Sequence, residues 1–253
     1  MQTQRNSLKA ALQRGDPQYG IWLNLGAPLA AELAGGCGFD WCLIDGEHAA
    51  FDLGAIQSQL QALAISGTPG VVRLPGQESW MLKQVLDMGA QSVLVPMVET
   101  AEEAGLVASA CRYPPTGTRG LGAMIARASG FGAQADYVAE ADQEVCVMVQ
   151  VESRRAVENI AEICAVPGVD VVFVGPADLA ADMGYAHDLD HADVRAAVDA
   201  AIKAIVATGK PAGVLGYQRD RVREYRALGA TFIGIGTDVG VYRGALMALK
   251  DGL

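Results

Sequence analysis

Eight short apolar runs, each followed by a longer stretch of helical pattern, limit what this chain can fold into more than any other feature. The first four are Tyr19–Leu25, Trp41–His48, Gly70–Pro75 and Ser92–Glu99. After a longer insertion come Val145–Glu152, Val169–Asp178, Pro211–Gly216 and Thr231–Asp238. Their interiors are almost continuously hydrophobic, without the alternation of a half-exposed strand. That pattern predicts strands covered on both faces, as in a parallel sheet wrapped by helices. The segments between them carry helix punctuation. Asp52 is placed to cap a helix running to Ser66, and Ser79 one running to Met88, with Gly89 at its end. An alanine-rich helix is predicted from Arg195 to Thr208, stopping at Gly209.

Eight strand–helix units in 253 residues favour an α/β fold of one domain, residues 1–253. A closed (β/α)8 TIM barrel suits them better than an open doubly wound sheet. An apolar fraction of 51% is enough to fill its core. One segment breaks the rhythm: Pro114 to Glu144, opening with PPTGTRGLG, is too long and glycine-rich for an ordinary connection. It reads as a functional loop or an interface element.

Several function classes are disfavoured. A net charge of -10, with the acidic residues scattered, argues against a nucleic-acid partner. Five cysteines without C-x-x-C spacing predict neither a disulfide framework nor a thiolate zinc site, and a reducing cytoplasm is the expected compartment. The opening MQTQRNSLKAALQRG lacks the apolar stretch of a signal peptide. The longest uncharged stretch, Gly54 to Val72, contains Gln57, Gln59, Gln61 and Pro69 and reads as helix plus loop, so no membrane span is expected.

A barrel carries its site at the carboxyl ends of its strands. Asp45, Glu47 and His48 end the second run, Arg73 interrupts the third, and Gln150 and Glu152 end the fifth. Gly175-Pro176-Ala177-Asp178 ends the sixth, and Thr237 and Asp238 the eighth. Glu152 and Asp178 lie on consecutive, hence neighbouring, strands. They are either a pair able to share a hard divalent cation or two carboxylates capping the helices that follow. His48 suits acid–base work, since imidazoles change charge near neutral pH, or is simply hydrogen-bonded at a strand end. His187 and His191, in an acidic stretch, are expected at the surface. Arg73 requires an anion, either a substrate carboxylate or an internal partner, Glu47 or Asp45. The Gly-Pro-Ala-Asp turn offers free amides to a carboxylate, or an aspartate as N-cap. None of the five lysines (Lys9, Lys83, Lys203, Lys210, Lys250) falls at a strand tip, and Lys210 precedes the seventh strand at the opposite end. Imine chemistry is therefore disfavoured.

In order, WCLIDGEH, VVRLPG, LDMGAQSVLVPMVET, YPPTGTRGLG, VMVQVES and VFVGPADLA resemble blocks of the HpcH/HpaI aldolase family, metal-dependent class II pyruvate aldolases. The resemblance covers nearly the whole chain. It implies that Glu152 and Asp178 hold Mg²⁺, Mn²⁺ or Co²⁺, and that Arg73 stabilises the pyruvate enolate. It implies further that amides at Ala177 and Asp178 hold the pyruvate carboxylate, with Gln150 alongside. By the same resemblance His48 is the acid–base catalyst, with Asp87 as its orienting partner. Asp45 reaches a neighbouring subunit's site, and Trp22 and Leu215 shape the aldehyde pocket. The implied reaction is reversible cleavage of 4-hydroxy-2-oxo acids to pyruvate and an aldehyde. The implied assembly is a homohexamer, a trimer of dimers that exchange a C-terminal helix, for which Val239 to Leu249 is apolar enough. Two rivals are a CoA-ester lyase of the malyl-CoA or citryl-CoA type and a non-catalytic keto-acid-binding barrel.

Overall fold

Each of the eight runs forms a parallel strand in the computed structural model, which describes residues 5–50 and 52–252. Residues 1–4, read above with the signal-peptide question, lie outside that description, as do positions 51 and 253. The strands are β1 (Gln18–Leu23), β2 (Trp41–Asp45), β3 (Gly70–Arg73), β4 (Ser92–Val95), β5 (Cys146–Val151), β6 (Val171–Val174), β7 (Ala212–Leu215) and β8 (Phe232–Thr237). Consecutive strands pair and β1 closes on β8, so the described residues form the predicted closed barrel. The strands are shorter than the apolar runs. The polar tips Glu47, His48 and Glu152 fall just beyond them, and Asp178 lies in the first turn of the helix Pro176–Asp182 that follows β6.

One inward parity fills the barrel. Trp22, Trp41, Leu43, Val71, Leu94, Met148, Phe173 and Phe232 form a single buried cluster, closed at the amino end by Leu8 and Leu12 of the helix Ser7–Gln13. These large rings fit because glycines face them. A Cβ at Gly234 would meet Trp22 Cζ3 at 2.6 Å, and one at Gly213 would meet Phe173 Cδ2 at 2.6 Å. The outward parity packs against the helices in a second, larger cluster that includes Ile44, Val72, Val149 and Val174.

Two helix starts differ from the sequence reading. Ser79 is the first helical residue of Ser79–Asp87, and Glu78 precedes it as N-cap without a side-chain bond. The alanine-rich helix begins three residues early, at Ala192, because the His191 ring accepts the Asp193 amide at 3.3 Å. His191 also stacks on Tyr185 at 3.9 Å. Asp52 caps Leu53–Ser66 as expected, accepting the Ala55 amide at 2.7 Å.

The insertion after β4 has a small core of its own, in which Tyr113, Ala123, Tyr137 and Ala141 cluster. Arg119 is buried there, 4.5 Å from the Tyr113 ring centroid, and pairs with Asp87. Its outer face exposes Met124, Ile125 and Phe131. Lys9 and Lys210 are tied to carbonyls at Val145 (2.7 Å) and Val169 (2.6 Å), at the amino ends of β5 and β6 and away from the carboxyl end.

Candidate active site

A side-chain period of two sorts the strand tips. The inward positions are Trp41, Leu43 and Asp45 on β2, and Val71 and Arg73 on β3. On β5 they are Met148, Gln150 and, one residue past the strand, Glu152. The polar residues thus occupy the last inward positions and converge at the carboxyl end.

Asp45 and Arg73 are register partners, and their side chains interlock. Arg73 Nε donates to Asp45 Oδ1 at 2.9 Å and Nη2 to Oδ2 at 2.8 Å, while Nη1 lies 2.8 Å from Glu47 Oε2. Both internal partners considered for this arginine are therefore used. Two of its N–H groups are hydrogen-bonded to Asp45, whereas the Glu47 contact is an ion pair without hydrogen-bond geometry, so Nη1 keeps donor capacity for a ligand. Burial alone would raise the Asp45 carboxyl, but the Arg73 hydrogen bonds and charge reverse this and hold it below the usual carboxylate range. Asp45 also accepts the amides of Glu47 (3.0 Å) and His48 (3.3 Å) and the side chain of Asn24 (2.6 Å). Within this chain Asp45 is 3% exposed, and its oxygens are engaged by groups at its own strand tip and the two beside it.

Glu152 is likewise 3% exposed. Its Oε1 accepts the Met97 amide at 2.7 Å, and its Oε2 accepts from Gln150. Met97, just past β4, adopts φ +55°, a region that non-glycine residues rarely enter. A Cβ at Gly175 would collide with this carboxylate and lie 2.9 Å from Gln150 Nε2, so glycine there keeps the space open. Burial pushes the Glu152 carboxyl up to about 7, against the Met97 and Gln150 hydrogen bonds, and the charges of Asp178 and Glu47 add to the rise. Burial also raises Glu47, against the pull of Arg73 and His48.

The helix-cap reading of the pair does not hold. The helix after Glu152 is capped by Ser153, and the one containing Asp178 starts at Gly175-Pro176 with no side-chain cap. Asp45, Glu47 and Glu152 bear on one guanidinium and Asp178 lines the same cavity, an excess of negative charge. The donors are all oxygens. Among the described residues no group of three or more His, Cys, Asp or Glu side chains converges for a metal. Two carboxylates with the remaining positions open is the donor set that Mg²⁺ or Mn²⁺ accepts, so these residues fit such an ion.

A cavity of about 230 Å³ opens over this cluster. Trp22, Asp45, His48, Arg73, Gln150, Ala177, Asp178 and Leu215 line it, as do Asn24, Phe173, Tyr217 and Thr237. Glu152 lies behind its wall, against Gln150 and Gly175. The His48 side chain is 62% exposed, with Nε2 3.8 Å from Glu47 Oε2. The first-turn amides of Ala177 and Asp178 have no acceptor within their helix.

Asp87 is the one expected site residue that does not join. It ends Ser79–Asp87, a helix running back from the carboxyl end of β3, and stands five residues before β4 begins. There it pairs with Arg119 and borders a separate groove with Gly122, Ile125 and Phe131. The expected contact with His48 is not made within the chain, because helix direction carries Asp87 away from the strand tips. Sequence reasoning missed Asn24, Met97 and Tyr217. Asn24 was findable, two residues past Trp22 on the inward parity of β1; Met97 and Tyr217 sit in turns without periodicity.

Comparison with known proteins shows the family. The model of HpcH/HpaI aldolase/citrate lyase matches residues 18–245. A hydroxypyruvate/pyruvate aldolase of Agrobacterium fabrum is 51% identical, over 99% of this chain and 94% of the relative. A 4-hydroxy-2-oxo-heptane-1,7-dioate aldolase of Escherichia coli is 46% identical, over 96% and 93%. The crystal structure of a family member from Burkholderia cenocepacia superposes with TM-score 0.93 at 40% identity, covering 97% of this chain and 98% of that one. The chain belongs to the HpcH/HpaI aldolase/citrate lyase family. It is a carbon–carbon lyase of the aldolase type.

Proposed function

We propose that this aldolase joins pyruvate, or hydroxypyruvate, to an aldehyde and cleaves the resulting 4-hydroxy-2-oxo acids. The observation that carries this reading is the buried Glu152 carboxylate near Asp178 and Arg73, an oxygen-donor pair next to a guanidinium whose Nη1 keeps donor capacity. Glu152 and Asp178 would hold a divalent ion, Mg²⁺, Mn²⁺ or Co²⁺, which when bound supplies Lewis acidity that makes the methyl protons of pyruvate easier to remove.

The chain's own groups do the rest. The Ala177 and Asp178 amides hold the pyruvate carboxylate, and Gln150 hydrogen-bonds the acid from the β5 side. The free edge of Arg73 meets the keto oxygen and stabilises the negative charge that develops there. His48, beside Glu47, takes a methyl proton, and the enolate carbon then attacks the aldehyde in the pocket of Trp22 and Leu215. The same proton goes to the new alkoxide. Cleavage reverses each step. Asp87 can orient His48 only from a second copy of the chain.

Association of copies is part of this reading. The C-terminal helix Asp238–Asp251 has no buried residue and exposes Val241, Tyr242 and Leu249. Exchange of this helix within a trimer of dimers would cover them. We place the enzyme in the cytoplasm, supported by five unpaired cysteines, four of them buried. No described helix is long and apolar enough to cross a membrane.

Exchange of the pyruvate methyl protons in deuterated water tests the reading without any aldehyde. Exchange should require Mn²⁺ or Mg²⁺, stop with chelator and disappear in Glu152→Ala. Absence of exchange with every metal would overturn it.

A further inference from the structure

A second cavity, of about 170 Å³, adjoins the first and shares Pro176, Ala177, Leu215 and Tyr217 with it. Tyr217 is the largest side chain on that common wall. The turn that carries it is firmly placed. Gly216 N–H donates to Gly234 O at 2.9 Å, extending the β7–β8 pairing, and a Cβ at Gly216 would already meet Val222 Cγ2 at 3.0 Å. The Tyr217 ring therefore stands at the rim, 66% exposed, with its phenol near the charges of Arg73 and Asp45. Its hydroxyl makes no hydrogen bond to another described residue.

The chemistry of the second cavity is distinct. Leu189, Tyr225 and Pro176 give it an apolar side, and Asp190, Gln218 and Arg221 a polar one. Arg221 is not free to bind an anion. Its Nη1 donates to Glu224 at 2.7 Å, its Nη2 donates to Asp199 at 2.7 Å, and it lies 4.4 Å from the Tyr225 ring centroid. Asp190 is 64% exposed, with only a 3.9 Å contact to Arg195 and a 3.4 Å hydrogen bond from Gln218. The space thus offers a carboxylate acceptor, an amide and a phenol, and no uncommitted cation. Hydroxyl groups satisfy such a lining, whereas a second carboxylate meets Asp190 without compensation.

The geometry points to this cavity as the subsite for the tail of the aldehyde, with Tyr217 holding a hydroxylated tail and Asp190 disfavouring an acidic one. The inference rests on the aldolase reading above and names the substrate class of the same site.

Three aldehydes of equal length separate the possibilities: erythrose, butanal and succinic semialdehyde. Each is condensed with pyruvate by the metal-loaded full chain, and kcat/KM is normalised to each variant's own rate of pyruvate proton exchange. The wild type should prefer erythrose. Tyr217→Phe and Tyr217→Ala should each lower the erythrose value by up to about tenfold, mainly through KM, since one neutral hydrogen bond is worth a factor of that order. Asp190→Asn, at an exposed position that does not threaten folding, should raise the succinic semialdehyde value. Unchanged ratios among the three aldehydes in all variants, with proton exchange intact in the wild type, would overturn the subsite alone. Loss of exchange in the wild type would overturn it together with the aldolase reading.

Discussion

Arg73 and Arg119 are both buried, yet they live in opposite surroundings. Arg73 stands at a strand tip among carboxylates, paired with Asp45 and Glu47 and close to Glu152, and borders an open cavity. Arg119 stands in the insertion between tyrosine rings. Its one carboxylate is Asp87, and its Nε and Nη1 lack hydrogen-bond partners among the described residues. Around Arg73 negative charge exceeds positive, which suits a further cation and a substrate dipole. Around Arg119 the guanidinium instead anchors a loop and fixes Asp87 at its edge. A buried arginine is thus a functional marker here only where its partners outnumber it.

The largest effect expected from this contrast is at Glu152. Glu152→Gln keeps the shape and removes the charge. Turnover should fall by roughly 10³-fold, a rise of about 4 kcal/mol in the barrier, and calorimetric Mn²⁺ binding should weaken with it. Arg73→Lys should lower kcat by roughly 10²–10³-fold, because an ammonium cannot serve Asp45, Glu47 and a keto oxygen at once; near-normal turnover would remove the enolate role. Arg119→Met should act on stability. Breaking a buried pair destabilises by about 3 kcal/mol, so thermal unfolding should fall by roughly 6–12 °C. A drop in kcat with unchanged melting would show that the two arginines are more alike than their surroundings imply.

Two smaller effects concern pH. The folded Glu152 carboxyl titrates near 7, above its ordinary 4.5. Without metal, its contribution to stability is therefore present below about pH 4.5 and is lost as the pH rises through 7. The loss is on the order of 3 kcal/mol, and denaturant melts of the metal-free protein should show it. Divalent-ion binding displaces that proton, so affinity should rise about tenfold per pH unit up to 7 and level off above. A flat affinity profile would mean that Glu152 is already ionised before the ion arrives.

Much of this was legible in the sequence, for a physical reason. Strands buried on both faces must be continuously apolar, so Arg73, Gln150 and Glu152 stood out as polar residues at the ends of such runs, and a period of two put Gln150 and Glu152 on one side. The Arg73 partners were legible as candidates because β2 and β3 had to be neighbours. Three-dimensional direction was not legible. Asp87 was assigned to His48 from resemblance; within this chain an α-helix returning to the amino end of the barrel brings it to Arg119. The left-handed turn at Met97 and the rim position of Tyr217 arise from loop geometry that no periodic pattern encodes.

The glycines facing the barrel rings have a consequence for how this enzyme could change its substrates. Trp22 forms part of the cavity floor, and its ring occupies the space that a Gly234 side chain would need. Floor depth and barrel filling are therefore one variable, set jointly by two distant positions. Shrinking Trp22 alone deepens the pocket but leaves a void beneath, whereas enlarging Gly234 alone pushes the ring up into the substrate's path. A lineage adapting to a bulkier aldehyde would have to move both positions together, Trp22→Phe with Gly234→Ala for example, so that pocket size evolves in coupled steps.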